Sequence, residues 1–252
     1  MFYPSAQATT STTELRVLCY NIRHCAGSDA QVNYHRIAKI ILSVKPDIVL
    51  LQEVDRKTER IQGVDGLAVL SRLTGLKFVF GKNINFQGGH YGNAVLSRLP
   101  ISKSINYPLP SPQPGEQRGL LCAHLQPHAN RGGKVTVCST HLDHRADNEN
   151  RLASAKYINQ YASDHPETSI ILAGDLNANF DSIVVNELRK QWKLTNNTKQ
   201  NSYPASQPKK QIDFILFNKH SQWKVKEFRV LNEPYASDHR PIFSVLEKLP
   251  DS

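Results

Sequence analysis

The sequence predicts an α/β protein built in layers, and three observations carry that reading. Near the N-terminus a helical apolar pattern is framed by two short apolar runs, the βαβ arrangement of a layered α/β protein. In the second half the run Ile170-Ile171-Leu172-Ala173 stops on Gly174, as a strand covered on both faces does. Several apolar runs then lead into Asn, Asp, Glu or His, so the strand ends carry one kind of polar cargo.

Residues 15–20 alternate well enough for a strand and run into Asn21-Ile22-Arg23-His24. Residues 34–44 place Ile37, Ile40, Ile41 and Val44 at helical spacing, with Asn33 as cap and Pro46 as stop. Residues 47–51 form a short strand ending in Gln52-Glu53. A second helix, 66–76, turns Leu67, Leu70 and Leu73 inward and ends at Gly75, and 78–80 follows as a strand. Gly88-Gly89-His90-Tyr91-Gly92-Asn93 reads as a glycine loop that can turn tightly or approach a ligand, before a strand at 94–97. The Pro-rich stretch 108–115 is irregular. Residues 120–126 and 134–140 pair as a hairpin, and the second strand ends in His141-Leu142-Asp143-His144.

Residues 147–161 form a helix with Leu152, Ala155 and Ile158 on its inner face. After the strand at Ile170 come Asp175 and Asn177, which share one face if the extended conformation persists; an Asx turn is the other reading of the same residues. A helix over 182–192, capped by Asp181, and a polar loop over 196–208 follow. The strand 211–217 carries Asp213 inside it, where an acid needs a partner. The last strands, 223–231 and 242–246, flank Ser237-Asp238-His239-Arg240-Pro241. No repeat or linker interrupts 14–248, so one domain and a monomer are expected.

Composition narrows the class. No apolar run approaches the roughly 20 residues of a membrane span. The net charge of +9 draws anionic partners but is spread along the chain rather than gathered into a groove. Cys19, Cys25, Cys122 and Cys138 show no C-x-x-C spacing, which argues against a zinc or thioredoxin-type motif. They read as buried filler, although Cys122 and Cys138 fall nearly opposite in the hairpin and could join in an oxidising compartment. Residues 1–13 read as a flexible leader without the basic and apolar regions of a signal peptide. Pro4-Ser5-Ala6-Gln7-Ala8 nevertheless looks like the end of one, so export to the periplasm or outside is one expectation and a cytoplasmic protein the other.

The polar groups at strand ends are Asn21, Glu53, Asn93, His141, Asp175, Asn177, Asp213, Asp238 and His239, with no thiol and no serine elbow among them. Carboxylate and carboxamide oxygens are hard ligands that suit Mg²⁺ or Mn²⁺ better than zinc. Histidines beside such an ion suit acid-base work or charge stabilisation on a phosphoryl group. The set points to metal-assisted phosphoester hydrolysis.

Seven motifs then appear in one order. They are Tyr20-Asn21-Ile22-Arg23, Leu51-Gln52-Glu53, Tyr91-Gly92-Asn93-Ala94-Val95-Leu96-Ser97-Arg98, Thr140-His141-Leu142-Asp143, Gly174-Asp175-Leu176-Asn177, Ile212-Asp213-Phe214-Ile215 and Ser237-Asp238-His239. With them the chain resembles the endonuclease/exonuclease/phosphatase superfamily, the DNase I-like proteins, including bacterial members named only as metal-dependent hydrolases. The resemblance implies a four-layer α/β sandwich, two packed sheets with helices on their outer faces. It implies Glu53 as the metal-binding glutamate, with Asn21 beside it and Asp238 completing the oxygen shell. His239 matches the catalytic histidine, Asp213 the acid that orients it, and Asp175 and Asn177 the pair that handles the attacking water and the phosphate. His141 would donate to a phosphoryl oxygen, and Asn93 and Arg118 would support the site or touch phosphate.

One departure stands out: Arg23 occupies a place where several nucleases of the family carry an acid, so Arg23 is expected on an anionic substrate. The stretches 83–89 and 126–133 are only mildly basic and 108–115 holds no basic residue, unlike a groove that follows nucleic acid. The expected activity is Mg²⁺-dependent hydrolysis of a small phosphodiester or phosphomonoester, such as a lipid or inositol headgroup, by one in-line attack of water. A nuclease is the alternative, and a catalytically silent anion-binding module is the rival from another class.

Overall fold

Alternation along the strands decides the layers. The computed structural model describes residues 14–126 and 134–249, and within them the elements run β1 (Glu14–Asn21), α1 (Tyr34–Ser43), β2 (Ile48–Arg56), α2 (Gly66–Thr74), β3 (Lys77–Phe86), β4 (Gly89–Ser97), β5 (Ile101–Pro108) and β6 (Gly119–Leu125). They continue through β7 (Val135–His141), α3 (Glu149–Ser163), β8 (Ser169–Asp175), α4 (Ile183–Leu188), β9 (Trp192–Leu194), β10 (Asp213–Asn218), β11 (Trp223–Val230) and β12 (Ile242–Lys248). On β1, Leu15, Val17 and Cys19 face one side and Leu18 and Tyr20 the other, and all five are buried, so the strand is covered twice over.

Two mixed six-stranded sheets result, in the orders β11-β12-β1-β2-β4-β3 and β5-β6-β7-β8-β10-β9. Each has one parallel pair, β1 with β2 and β7 with β8, and each pair is bridged by a helix, α1 or α3. Val17, Ile48, Leu50 and Val95 of the first sheet meet Leu121, Val137, Ile171 and Ile215 of the second. The outer face of the first sheet packs on Ile37 and Ile41 of α1 and Leu67 and Leu70 of α2. That of the second packs on Ile158 of α3 and Val184 and Leu188 of α4. This is the four-layer sandwich, and each fully buried aliphatic side chain contributes about 1.5–3 kcal/mol to it. Among the described residues no helix is long and apolar enough to cross a membrane.

Capping follows the sequence in the first helices. Asn33 accepts the Arg36 N–H at 2.9 Å, Asp65 accepts that of Ala68 at 3.3 Å, and α2 stops at Gly75 with φ +73°. Cys122 and Cys138 stand directly opposite in β6 and β7 and are joined by a disulfide. The expected leader 1–13, with its signal-like remnant, and the stretch 127–133 lie outside the described residues.

Four expectations are corrected. The glycine loop is a strand: β4 starts at Gly89, and the turn is Gln87-Gly88, both with positive φ, which matches the twist of a tight hairpin. β2 runs on to Arg56 because a bulge, not an end, follows Leu51. The last of the predicted helices is short, Ile183–Leu188, capped by Ser182 rather than Asp181, and Trp192 begins β9. β5 has no counterpart among the expected elements: it is an edge strand whose Ser102, Lys103 and Ser104 are exposed, so its apolar signal is weak.

Candidate active site

The second sheet builds its part of the site from regular register. His141 ends β7 opposite Asp175, which ends β8, and Asp175 is opposite Asp213, the first residue of antiparallel β10. Three polar side chains therefore stand in one row on adjacent strands. Gly174 lets β8 approach β7 at this point, since a Cβ there would overlap the carbonyl of Thr140. Beyond Asp175 the chain does not stay extended. Asn177 has φ +45° and its N–H donates to Asp175 Oδ1 at 2.9 Å, an Asx turn, so the turn reading holds while both side chains still reach the cavity.

The first sheet contributes through irregularity. Asn21 ends β1 opposite Gln52 of β2. Between Leu51 and Val54 the register against β4 shifts, so Gln52 and Glu53 together face the single residue Asn93. Glu53, with φ +53°, occupies this bulge, a strained position for a residue with a Cβ. Buried Gln52 anchors the bulge across the sandwich, donating to Ser139 Oγ at 3.1 Å, while Ser139 Oγ donates to Leu51 O at 3.1 Å.

Asn21 ties the two halves together. Its amide donates to Glu53 Oε1 at 2.9 Å and to Asp175 Oδ2 at 3.1 Å, and its Oδ1 accepts the Arg23 N–H. His239 arrives from the segment before β12, where Ser237 Oγ donates to Asn21 O at 2.7 Å. His239 Nδ1 is 3.0 Å from Asp213 Oδ2, Nε2 is 3.6 Å from Asp175 Oδ2, and Asp213 Oδ2 also accepts from Ser202 Oγ at 2.6 Å. Burial alone would lower His239, but Asp213 and Asp175 reverse this and push it up to about 10. Burial pushes the Asp175 carboxyl up as well, to about 7, against the pull of His239.

His141 is held neutral. Burial, with Arg118 beside it, lowers the imidazole well below its usual range. Arg118 Nη1 donates to Nδ1 at 3.1 Å, which by elimination places the ring hydrogen on Nε2. Asn177 Nδ2 lies 3.0 Å from that Nε2 and also donates to Leu142 O, so the amide orientation is set. The Nε2 hydrogen has the Asp175 carboxylate as its neighbour, Oδ2 lying 3.5 Å away.

These groups line a cavity of about 530 Å³. Glu53, Asp175, Asp238 and His239 form its floor with Arg118, His141 and Asn177, while Asp213 stands behind His239 and Asn21 behind Glu53. Two expected residues do not reach it. Asn93 is buried behind the bulge, donating to Gly119 O at 3.1 Å, and Arg23 lies in the turn Arg23–Cys25 with only its backbone engaged at Asn21.

Residues 18–239 match the Endonuclease/Exonuclease/phosphatase family. The chain belongs to that family. The uncharacterised protein YbhP of Escherichia coli K12 is 27% identical over 216 residues, 80% of this chain and 83% of YbhP. An endonuclease/exonuclease/phosphatase family protein of Bacteroides thetaiotaomicron superposes with a TM-score of 0.76 at 19% identity, covering 95% of this chain and all (100%) of the other. A mannosyl-6-phosphatase of the same organism gives 0.73 at 20% identity, covering 92% and 99%.

The endonuclease/exonuclease/phosphatase motifs do not mark every residue at the cavity. Beside Tyr91 of the third motif, Glu116, His144, Asn179, Tyr203 and Lys210 also line it. Tyr203 packs its ring 4.7 Å from that of His239, and His144 Nδ1 meets Arg118 Nη2 at 3.1 Å. His144 directly follows the motif Thr140-His141-Leu142-Asp143 and Glu116 lies two residues before Arg118, a signal that could have found them. Tyr203 and Lys210 belong to an irregular polar stretch and carry no such signal.

Proposed function

We propose that the protein hydrolyses a phosphate ester by direct attack of water on phosphorus, assisted by a divalent cation. The observation that carries this reading is the meeting of Glu53 and Asp238 with the Asp175–His239–Asp213 array in one cavity. Neither Glu53 nor Asp238 makes an ion pair among the described residues. Burial, with Asp238 adding like charge, pushes the Glu53 carboxyl up, the condition that a bound cation relieves. Asp175, Asp213 and His239 also offer ligand atoms within 4.8 Å of one another, but Asp213 is already engaged by His239 and Ser202. The oxygen donors of Glu53 and Asp238, with Asn21 beside them, fit Mg²⁺ or Mn²⁺, which when bound would draw charge from the phosphoryl oxygens.

The chain's own groups account for the rest. Asp175, oriented by the Asn177 N–H, is placed to position and deprotonate the attacking water. Asp213 fixes the ring of His239 and keeps it protonated, so that it faces the phosphoryl group as a cation. His141, kept neutral and held through Nδ1 by Arg118, presents its Nε2–H at the cavity, where it can donate to a phosphoryl oxygen that gains charge, and Asn177 lines the cavity beside it. The polar cavity of about 530 Å³ favours a small monoester or diester, such as a sugar, lipid or inositol headgroup, over duplex DNA.

The test is hydrolysis of phosphomonoesters, phosphodiesters, phosphoinositides and plasmid DNA with Mg²⁺, Mn²⁺ or chelator. Turnover that needs the metal and disappears in Glu53→Gln and His239→Ala is expected. Turnover insensitive to chelator would defeat the mechanism, and binding without turnover on any ester would favour an anion-binding module.

A further inference from the structure

Next to Glu53 a smaller chamber of about 110 Å³ opens, sharing Glu53, Tyr91 and Glu116 with the main cavity. Its remaining walls are Ile84 and Phe86 of the β3–β4 hairpin and Arg60 of the helical turn Glu59–Ile61. Arg60 is held firmly. Its Nε and Nη2 donate to the two oxygens of buried Asp55 at 2.6 and 2.7 Å, and its guanidinium lies 4.7 Å from the Phe86 ring centroid and 5.7 Å from that of Tyr91. Nη1 is left without a hydrogen-bond partner among the described residues. Glu116 is the complement: Oε1 lies 2.8 Å from Arg118 Nη1, and Oε2 has no partner among the described residues.

A fixed donor and a carboxylate with spare acceptor capacity select their ligand by elimination. A second phosphate would meet Glu53 and Glu116 as like charges, and a quaternary ammonium, which accepts no hydrogen bond, would leave the Arg60 Nη1 donor unpaired. A hydroxyl both donates and accepts, so a guanidinium and a carboxylate satisfy it together. We propose that this chamber receives the alcohol portion of the ester, and that this alcohol is an uncharged polyol, a sugar or cyclitol, recognised through its hydroxyls by Arg60 and Glu116. The inference rests on the hydrolytic reading of the adjoining site and gives it a substrate class.

The test assays the full-length protein with Mg²⁺ on glucose 6-phosphate, inositol 1-phosphate, glucose 1,6-bisphosphate, phosphocholine and phenyl phosphate. One of the two polyol monoesters is expected to exceed the other three substrates about tenfold in kcat/KM. Arg60→Met and Glu116→Gln should each shrink that preference over phenyl phosphate about tenfold, mainly through KM. Preference for the bisphosphate or phosphocholine, or an unchanged ratio in both variants, overturns the proposal. Glu116→Gln is isosteric and covers the case in which Arg60→Met fails to fold. If no ester is turned over, the hydrolytic reading fails, and calorimetric titration with glucose 6-phosphate and inositol 1-phosphate still decides the chamber. Binding weakened about tenfold by either variant supports it, while equal binding, or none to the wild type, overturns it.

Discussion

The two βαβ units of the molecule, β1-α1-β2 and β7-α3-β8, occupy corresponding places in their sheets and build their halves of the site differently. In β7-α3-β8 the functional side chains simply end the strands: His141, Asp175 and, on the neighbouring β10, Asp213 fall in one register row. In β1-α1-β2 only Asn21 does so, and Glu53 reaches the cavity because a bulge lifts it out of the ladder at a positive φ. A regular sheet can place a row of groups at a set spacing on one line. Bringing a carboxylate across to meet that row requires the chain to leave the ladder, and the cross-sheet bridge from Gln52 to Ser139 holds it there.

Substitutions at Asp175 of the regular row, and at His239, which reaches that row from the other sheet, should have the largest effect. Asp175→Asn and His239→Ala are each expected to lower turnover by about 10²–10⁴-fold with the fold retained, measured by steady-state kinetics and circular dichroism. A loss below tenfold in both would mean that the row is structural. On the bulged half, Glu53→Gln should weaken Mn²⁺ binding in a calorimetric titration by about tenfold or more, because it removes the charge and leaves the shape. Unchanged binding would move the cation to Asp175, Asp213 and His239.

Asp213→Asn tests the electrostatics of the row. In chelator-treated protein His239 is held up to about 10, against about 6.5 in an unfolded chain. Its contribution to stability is therefore fully present below about pH 6.5 and is lost as the pH rises through about 10. Urea unfolding across that window should show stability falling in the wild type and a flatter profile in the variant. Equal slopes would remove Asp213 as the partner that charges His239.

Ser139→Ala asks whether the bridge holds the bulge. It leaves Gln52 Nε2 and Leu51 O without their buried partner and should cost about 1–3 kcal/mol in urea unfolding. A loss within experimental error would show that the bulge holds itself. The smallest effect is expected from Arg23→Ala, since that half-buried side chain does not line the cavity: a change in kcat/KM of less than about threefold. A larger drop would return Arg23 to the substrate.

Sequence by itself determined the layered α/β class and the polar ends of the regular strands. A short apolar run buried on both faces and a polar residue at its end are local signals, and Asn21, His141 and Asp175 all carry them. Motif order was enough to include Glu53, Asp213 and His239 without saying how they meet. Only the tertiary structure decided that Gln52 and Glu53 share one place opposite Asn93, that Asn93 and Arg23 stay out of the cavity, and that Tyr203, Lys210, Glu116 and Arg60 enter it or its side chamber. Those placements depend on register between strands, on a bulge anchored 87 residues away in the chain, and on irregular segments folded over a sheet edge. None of these leaves a periodic trace, because they arise from contacts between residues far apart in sequence rather than from the pattern of any one segment.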